Sequence, residues 1–204
     1  MLSNRINSLP ASATLAMAAK ARELKNQGID IIGLSLGEPD FNTPEFIKDA
    51  AIQAVNDNYN SYSPVDGYAD LKAAICEKFK RDNGLDYQPS QVVVSTGAKQ
   101  SIANLCMVLL DPGDEVLLPA PYWVSYSAIA TLAEAKSTII PSSIDSDFKI
   151  TPEQLEAAIT PKTKLVMFNS PNNPSGTIYT EKEYRALGEV LKKYPDIYLS
   201  LIHI

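Results

Sequence analysis

Residues 163 to 176 read TKLVMFNSPNNPSG, an apolar run that stops at Asn169 and enters a loop holding two prolines, two adjacent asparagines and a glycine. A short apolar run bounded by turn-forming residues is the pattern of a buried strand. Pro171 and Pro174 fix their own φ angles and restrict the residues before them, and Gly176 lets the turn close. An amide held in such a loop keeps its donor and acceptor aimed at one point, with little entropy left to lose on binding. An Asx turn serving only the loop is the alternative, and the doubled Pro-Asn spacing argues against it.

Outward from this stretch, strands and helices alternate. Upstream lie QVVVST, a helix near 98–110, EVLLPAP, a helix near 123–133, KSTIIPSS and a helix from Pro152 to Ile159; downstream lie a helix from Glu181 to Lys193 and IYLSLI. Nearer the start, Ser12 or Thr14 is placed to cap a helix running to about Asn26 and ended by Gly28. DIIGLSLGEPDFNTP follows as a short strand broken by Gly37 and Pro39. Thr43 and Pro44 then open a second helix as capping residue and first-turn proline, and a third helix is expected near 69–82. This alternation predicts an α/β fold with a mainly parallel sheet covered by helices on both faces. Ligands of such sheets sit at the carboxyl ends of the strands.

The 204 residues are 45% hydrophobic and 21% charged, which suits a globular chain with a real core. A net charge of −6, with acidic and basic residues interspersed, gives no footprint for nucleic acid. Cys76 and Cys106 stand in apolar-periodic segments without metal-ligand spacing and read as small buried hydrophobes. The N-terminus lacks the unbroken apolar core of a signal peptide, and no run reaches the roughly 18 apolar residues of a membrane span. A cytoplasmic protein without nucleic-acid or membrane partners is expected.

Two more strand ends carry chemistry. In VVVSTGAKQS (92–101), Gly97 permits close backbone approach, and the N–H groups of Ala98 and Lys99 open a helix whose positive end suits a phosphate; an ordinary turn that binds nothing is the other reading. In LLPAPYWVSY (117–126), Trp123 is the single tryptophan. A proline-bracketed loop presenting an indole can stack on a flat ring, or the indole can simply be core.

These stretches, in this order, resemble the aspartate-aminotransferase-like, class I/II aminotransferases of pyridoxal-phosphate enzyme fold type I. The resemblance runs through LGEPDFNTP (36–44), YSPVDGYADLK (62–72), STGAKQSI (95–102), LDPGDEVLLPAPYWVSY (110–126) and SPNNPSG (170–176). It implies the three-layer α/β/α large domain of that family, here ending before its last strands. Residues 44–198 would be that domain, incomplete, and residues 1–43 an arm and helix belonging to the small domain and the site cover.

The resemblance implies pyridoxal 5'-phosphate as cofactor, with Gly97, Ala98 and Lys99 at its phosphate, Trp123 stacked on its ring and Asn173 on its 3-oxygen. It implies substrate contacts from Gly37, Trp123 and Asn173. Tyr62 would reach the phosphate held by the other subunit of a homodimer with shared active sites. The implied activity is transfer of an amino group between an amino acid of aspartate, aromatic or alanine type and a 2-oxo acid. A lyase or decarboxylase on the same fold, and a non-catalytic sensing domain, remain alternatives. The lysine that bonds the cofactor, the aspartate at its ring nitrogen and the arginine that clamps the substrate have no matching position here, so this chain by itself is expected to be inactive. Residues 199–204, LSLIHI, also match one reading frame of a sequencing adaptor and are expected to be a non-native tail; the single histidine, His203, falls in it and receives no catalytic role.

Overall fold

The computed structural model describes residues 2–9, 11, 13–34, 37 and 39–202. The chain divides into two compact units, one of Met1–Leu9 with Ser95–Ile204, the other of Pro10–Val94. The division at Val94 has a local cause. The Val94 N–H donates to the Asp66 carbonyl at 3.1 Å, and a Cβ on Gly67 would stand 2.5 Å from Val94 Cγ2. The turn at Asp66–Gly67 thus ties Val94 to the segment before it.

The larger unit contains helix α1 (Asn4–Asn7) and then, from residue 98, α5 (Ala98–Leu109), β1 (Glu115–Pro119), α6 (Ser125–Leu132), β2 (Lys136–Ile140), α7 (Pro152–Ala158), β3 (Thr163–Asn169), α8 (Glu181–Leu191) and β4 (Tyr198–Ile202). The strands form one parallel sheet in the order β2-β1-β3-β4. Period-two alternation sends successive side chains to opposite faces. Val116, Leu118, Leu165 and Met167 pack with Ile102 and Cys106 of α5 and with Tyr126, Ile129 and Ala130 of α6. Leu117, Val166 and Phe168 pack with Leu155 of α7 and with Leu187 and Val190 of α8. The two central strands, β1 and β3, are therefore apolar through their middles, as strands buried on both faces must be, and the three-layer architecture follows.

The order of the strands locates the site. From β1 the chain passes through α6 on one face to β2, and then through α7 on the other face back across β1 to β3. The direction of winding reverses between β1 and β3, so a crevice opens beyond their carboxyl ends, at Pro119 and Asn169.

At the opposite end of β1, Glu115 is buried and accepts hydrogen bonds from Thr160 Oγ1 at 2.7 Å and from Lys136 Nζ at 3.0 Å. The Thr160 hydroxyl, then Lys136, hold its carboxyl below the usual glutamate range. A lowered folded value means that the stabilisation is complete above the ordinary glutamate value of about 4.3 and is lost as pH falls through the lower folded value. Glu115→Gln is expected to cost about 1 kcal/mol in urea unfolding at pH 7, and the gap to wild type should close on acidification below about pH 4.

The smaller unit holds α2 (Ala13–Asn26), α3 (Glu45–Asn56), α4 (Ala69–Asn83) and a 3-10 turn at Pro89–Gln91. α4 ends at Gly84, whose φ of 67° is left-handed and whose N–H returns to the Lys80 carbonyl. Thr43 does not cap α3: the helix starts at Glu45 with Pro44 in the capping position and no side-chain cap. Of the two caps proposed for α2, Thr14 lies inside the helix, which begins at Ala13, and Ser12 lies outside the described residues. Val92–Ser95 is extended but pairs with no strand, and Val93 is largely exposed. A ladder needs a partner with free edge groups, and none stands beside this segment among the described residues. The same holds for Asp30–Leu34, while Ser35, Leu36 and Glu38 of that expected strand, like His203, lie outside the described residues.

Candidate functional site

α7 and α8 are closed at their starts by their own side chains. Thr151 and Gln154 form one reciprocal capping box, and Thr180 and Glu183 form the other. α5 is different. Its capping position is Gly97, with φ 82° and ψ 162° and no side-chain hydrogen bond. Gln100 Oε1 accepts from the Thr96 N–H, and the Gln100 N–H returns to the Gly97 carbonyl at 3.1 Å. Among the described residues the N–H groups of Ala98 and Lys99 have no acceptor. Two donors at the positive end of a helix of 12 residues are thus left unspent.

Ala98 and Ile102 of α5, Trp123, Tyr126, Asn169, Asn173 and Ile202 line a cavity of about 150 Å³ at the strand ends. That is roughly five times the liquid volume of one water, enough for a ring with small substituents. Trp123 is half-buried, and its ring lies 5.6 Å from that of Tyr126, nearly perpendicular at 84°. The Lys99 ammonium stands 4.9 Å from the indole centroid, within cation-π range. Burial pushes the Tyr126 hydroxyl up to about 12, so it stays neutral throughout the physiological range.

The loop after β3 gives its two asparagines different surroundings. Asn172 Nδ2 donates to the Pro121 carbonyl at 3.1 Å, and Asn172 Oδ1 accepts from the N–H and the hydroxyl of Ser175 at 3.1 and 2.9 Å. Asn173 is exposed and its side-chain amide has no partner among the described residues. Its backbone N–H donates to Asn169 Oδ1 at 3.4 Å, while Asn169 Nδ2 donates to the Pro171 carbonyl at 3.0 Å. Asn169, only 1% exposed, is thereby a peg under the loop, with Asn173 above it facing the cavity. The peptide bonds preceding Pro121, Pro171 and Pro174 are cis.

The structure therefore brings Ala98, Trp123 and Asn173 to one cavity, with Gly97 and Lys99 flanking Ala98. Gly37 and Tyr62 belong to the smaller unit, where both are exposed and Tyr62 fully so. Sequence reasoning missed Ile102, Tyr126, Asn169 and Ile202 as lining residues. Tyr126 carried a signal, being three residues after Trp123 at a helix start, and so did Asn169, a polar residue closing an apolar strand. Ile202 falls in the stretch expected to be non-native and had none.

Pyridoxal phosphate fits the residues present. Its phosphate needs donors without competing side-chain caps, and α5 offers two; its flat ring needs an aromatic face, and Trp123 lines the cavity; a ring oxygen needs a fixed donor, and the Asn173 amide is uncommitted. No charged side chain lines the cavity. Among the described residues there is also no group of three side chains able to hold a metal and no helix long and apolar enough to cross a membrane.

A fold wound this way around such a cavity defines a class, and comparison with known proteins gives it a family. Residues 29–200 match the family model of aminotransferase class I and II. The chain is 53% identical over 199 residues to aspartate/prephenate aminotransferase of Nitrosomonas europaea and 50% identical over 199 residues to aspartate aminotransferase of Bacillus subtilis; it covers 98% of itself in both cases, and 50% and 51% of those relatives. It superimposes on aspartate aminotransferase of Rhizobium meliloti with a TM-score of 0.94 at 46% identity, over 98% of this chain and 50% of that one. For the Thermus thermophilus enzyme with maleate the TM-score is 0.95 at 41% identity, over 100% of this chain and 53% of the other. The chain belongs to the class I and II aminotransferases, and it spans about half the length of the curated relatives it matches.

Proposed function

We propose that the protein carrying this chain is a pyridoxal-phosphate-dependent aminotransferase that moves an amino group between aspartate and a 2-oxo acid. The observation that carries this reading is the convergence of an uncapped helix start, an indole and an uncommitted amide on one cavity at the switch point of the sheet. The names of the relatives support aspartate as the amino donor.

When bound, pyridoxal phosphate supplies the electron sink for chemistry at the substrate's α-carbon. The chain's own residues bind and orient. Ala98 and Lys99 would donate their backbone N–H groups to the phosphate, on a backbone shaped by Gly97. Trp123 would hold the ring by its face, and the Asn173 amide would donate to the ring oxygen. Trp123 and Asn173 also border the substrate, and Gly37 contributes a main-chain contact to it. Tyr62 extends to the phosphate of a second copy, so the working form in this reading is a homodimer in the cytoplasm. Residues 44–198 belong to the cofactor-binding domain and residues 1–43 to the small domain and the site cover. None of the residues given a role here bonds the cofactor or moves the substrate's proton.

The purified protein that carries this chain, loaded with pyridoxal phosphate, should convert aspartate and 2-oxoglutarate to oxaloacetate and glutamate. Release of ammonia or carbon dioxide without amino transfer contradicts the assignment.

A further inference from the structure

We propose that Asn172 is a positioning residue that sets the distance between the Trp123 face and the Asn173 amide; the proposal rests on the cofactor-binding reading above. Every polar atom of Asn172 already has a partner within the protein. Its N–H donates to the Thr177 carbonyl at 2.9 Å, its carbonyl accepts from the Gly176 N–H at 2.8 Å, its Oδ1 is taken twice by Ser175 and its Nδ2 reaches the Pro121 carbonyl. That last bond spans 51 residues of sequence and is the direct polar link between the loop carrying Asn173 and the loop carrying Trp123.

The geometry gives the link its consequence. Pro121 lies two residues before Trp123, and Asn173 directly follows Asn172. On its other side the tryptophan loop is tied to the end of β2, where the Ala120 N–H donates to the Ile140 carbonyl at 2.9 Å and the Ser142 hydroxyl donates to the Ala120 carbonyl. The indole loop is thus held from β2 on one flank and from the loop after β3 on the other. Releasing the Asn172 flank leaves the fold of the sheet intact but frees Trp123 and Asn173 to move independently, and a preorganised pair loses affinity when it must be ordered on binding.

Asn172→Asp keeps the acceptor for Ser175 and replaces the donor facing Pro121 by an oxygen, which breaks the link; Asn172→Ala, which breaks it without adding a charge, is the control for the new carboxylate. Ser175→Ala breaks the opposite contact and spares the link. Trp123, as the only tryptophan, reports on both variants in the 204-residue chain by its emission. Asn172→Asp should raise acrylamide quenching of Trp123 and weaken pyridoxal phosphate binding about tenfold, the factor equivalent to about 1.4 kcal/mol. Ser175→Ala should change either quantity less than about threefold. If Asn172→Asp does not fold by circular dichroism, Asn172→Ala takes its place with the same expectation.

Unchanged acrylamide quenching in the folded variant overturns the proposal, and so does failure of both Asn172 variants to fold, which would make the residue a determinant of the fold itself. If the wild-type chain takes up no pyridoxal phosphate, it is the cofactor reading that fails. The acrylamide comparison, which needs no ligand, still decides the role of Asn172.

Discussion

Leu117→Ala is expected to destabilise the Ser95–Ile204 unit by about 2–5 kcal/mol, the cost of a large-to-small change in a core that cannot collapse around the gap. Leu117 is fully buried in the central strand β1, packed with Ile140, Leu155, Val166 and Phe168. Its neighbours come from two strands, β2 and β3, and from helix α7, so no single element can move in to fill the space. Urea unfolding followed by circular dichroism should show a lower midpoint with an unchanged slope. Met107→Ala on α5, where the side chain is 60% exposed, should change stability by less than about 0.5 kcal/mol. A comparable loss at both positions would mean that the core lies elsewhere.

Gly97→Ala is expected to have the largest effect on the site. Its φ of 82° with ψ of 162° lies in a region that only glycine occupies without strain, at a cost of about 1–3 kcal/mol for another residue. No atom stands within 4 Å of the added methyl, so the penalty is one of backbone conformation and not of space. Relief requires rotating the peptides that carry the Ala98 and Lys99 N–H groups, which turns the phosphate donors away. Pyridoxal phosphate binding should fall at least about tenfold, read by quenching of Trp123. The same substitution at Gly188, inside α8 and with open space around it, should instead stabilise by about 0.5–1 kcal/mol. Wild-type affinity in Gly97→Ala would remove the start of α5 from the site.

Much of this arrangement is legible in the sequence because it is local. The apolar runs at 115–119 and 163–169 are buried on both faces, and helices α4 to α8 begin and end within a few residues of where caps, prolines and glycines place them. Gly97, Ala98, Trp123 and Asn173 stand out for the same reason: each sits where a strand end meets a turn. What is not legible depends on residues far away in the chain. Val92–Ser95 has the composition of a strand, yet strand formation is decided by a neighbour, and none is present among the described residues. Thr43 has the chemistry of a cap, but Pro44 takes an extended ψ of 143° and the helix starts one residue later. The two asparagines of SPNNPSG are chemically identical. The Pro121 carbonyl, brought in by the packing of β1 beside β3, joins the local contacts of Ser175 in giving the Asn172 side chain to the scaffold, and Asn173 is left to the cavity.

The central claim is that α5, the indole and the Asn173 amide together hold one phosphorylated ring, and a fluorescence titration of the 204-residue chain tests it most directly. Adding pyridoxal phosphate should quench Trp123 saturably at one equivalent per chain, and inorganic phosphate should shift the curve to higher concentration by competing at the start of α5. A chain that is folded by circular dichroism but shows no saturable quenching, or quenching that phosphate does not affect, would contradict the account.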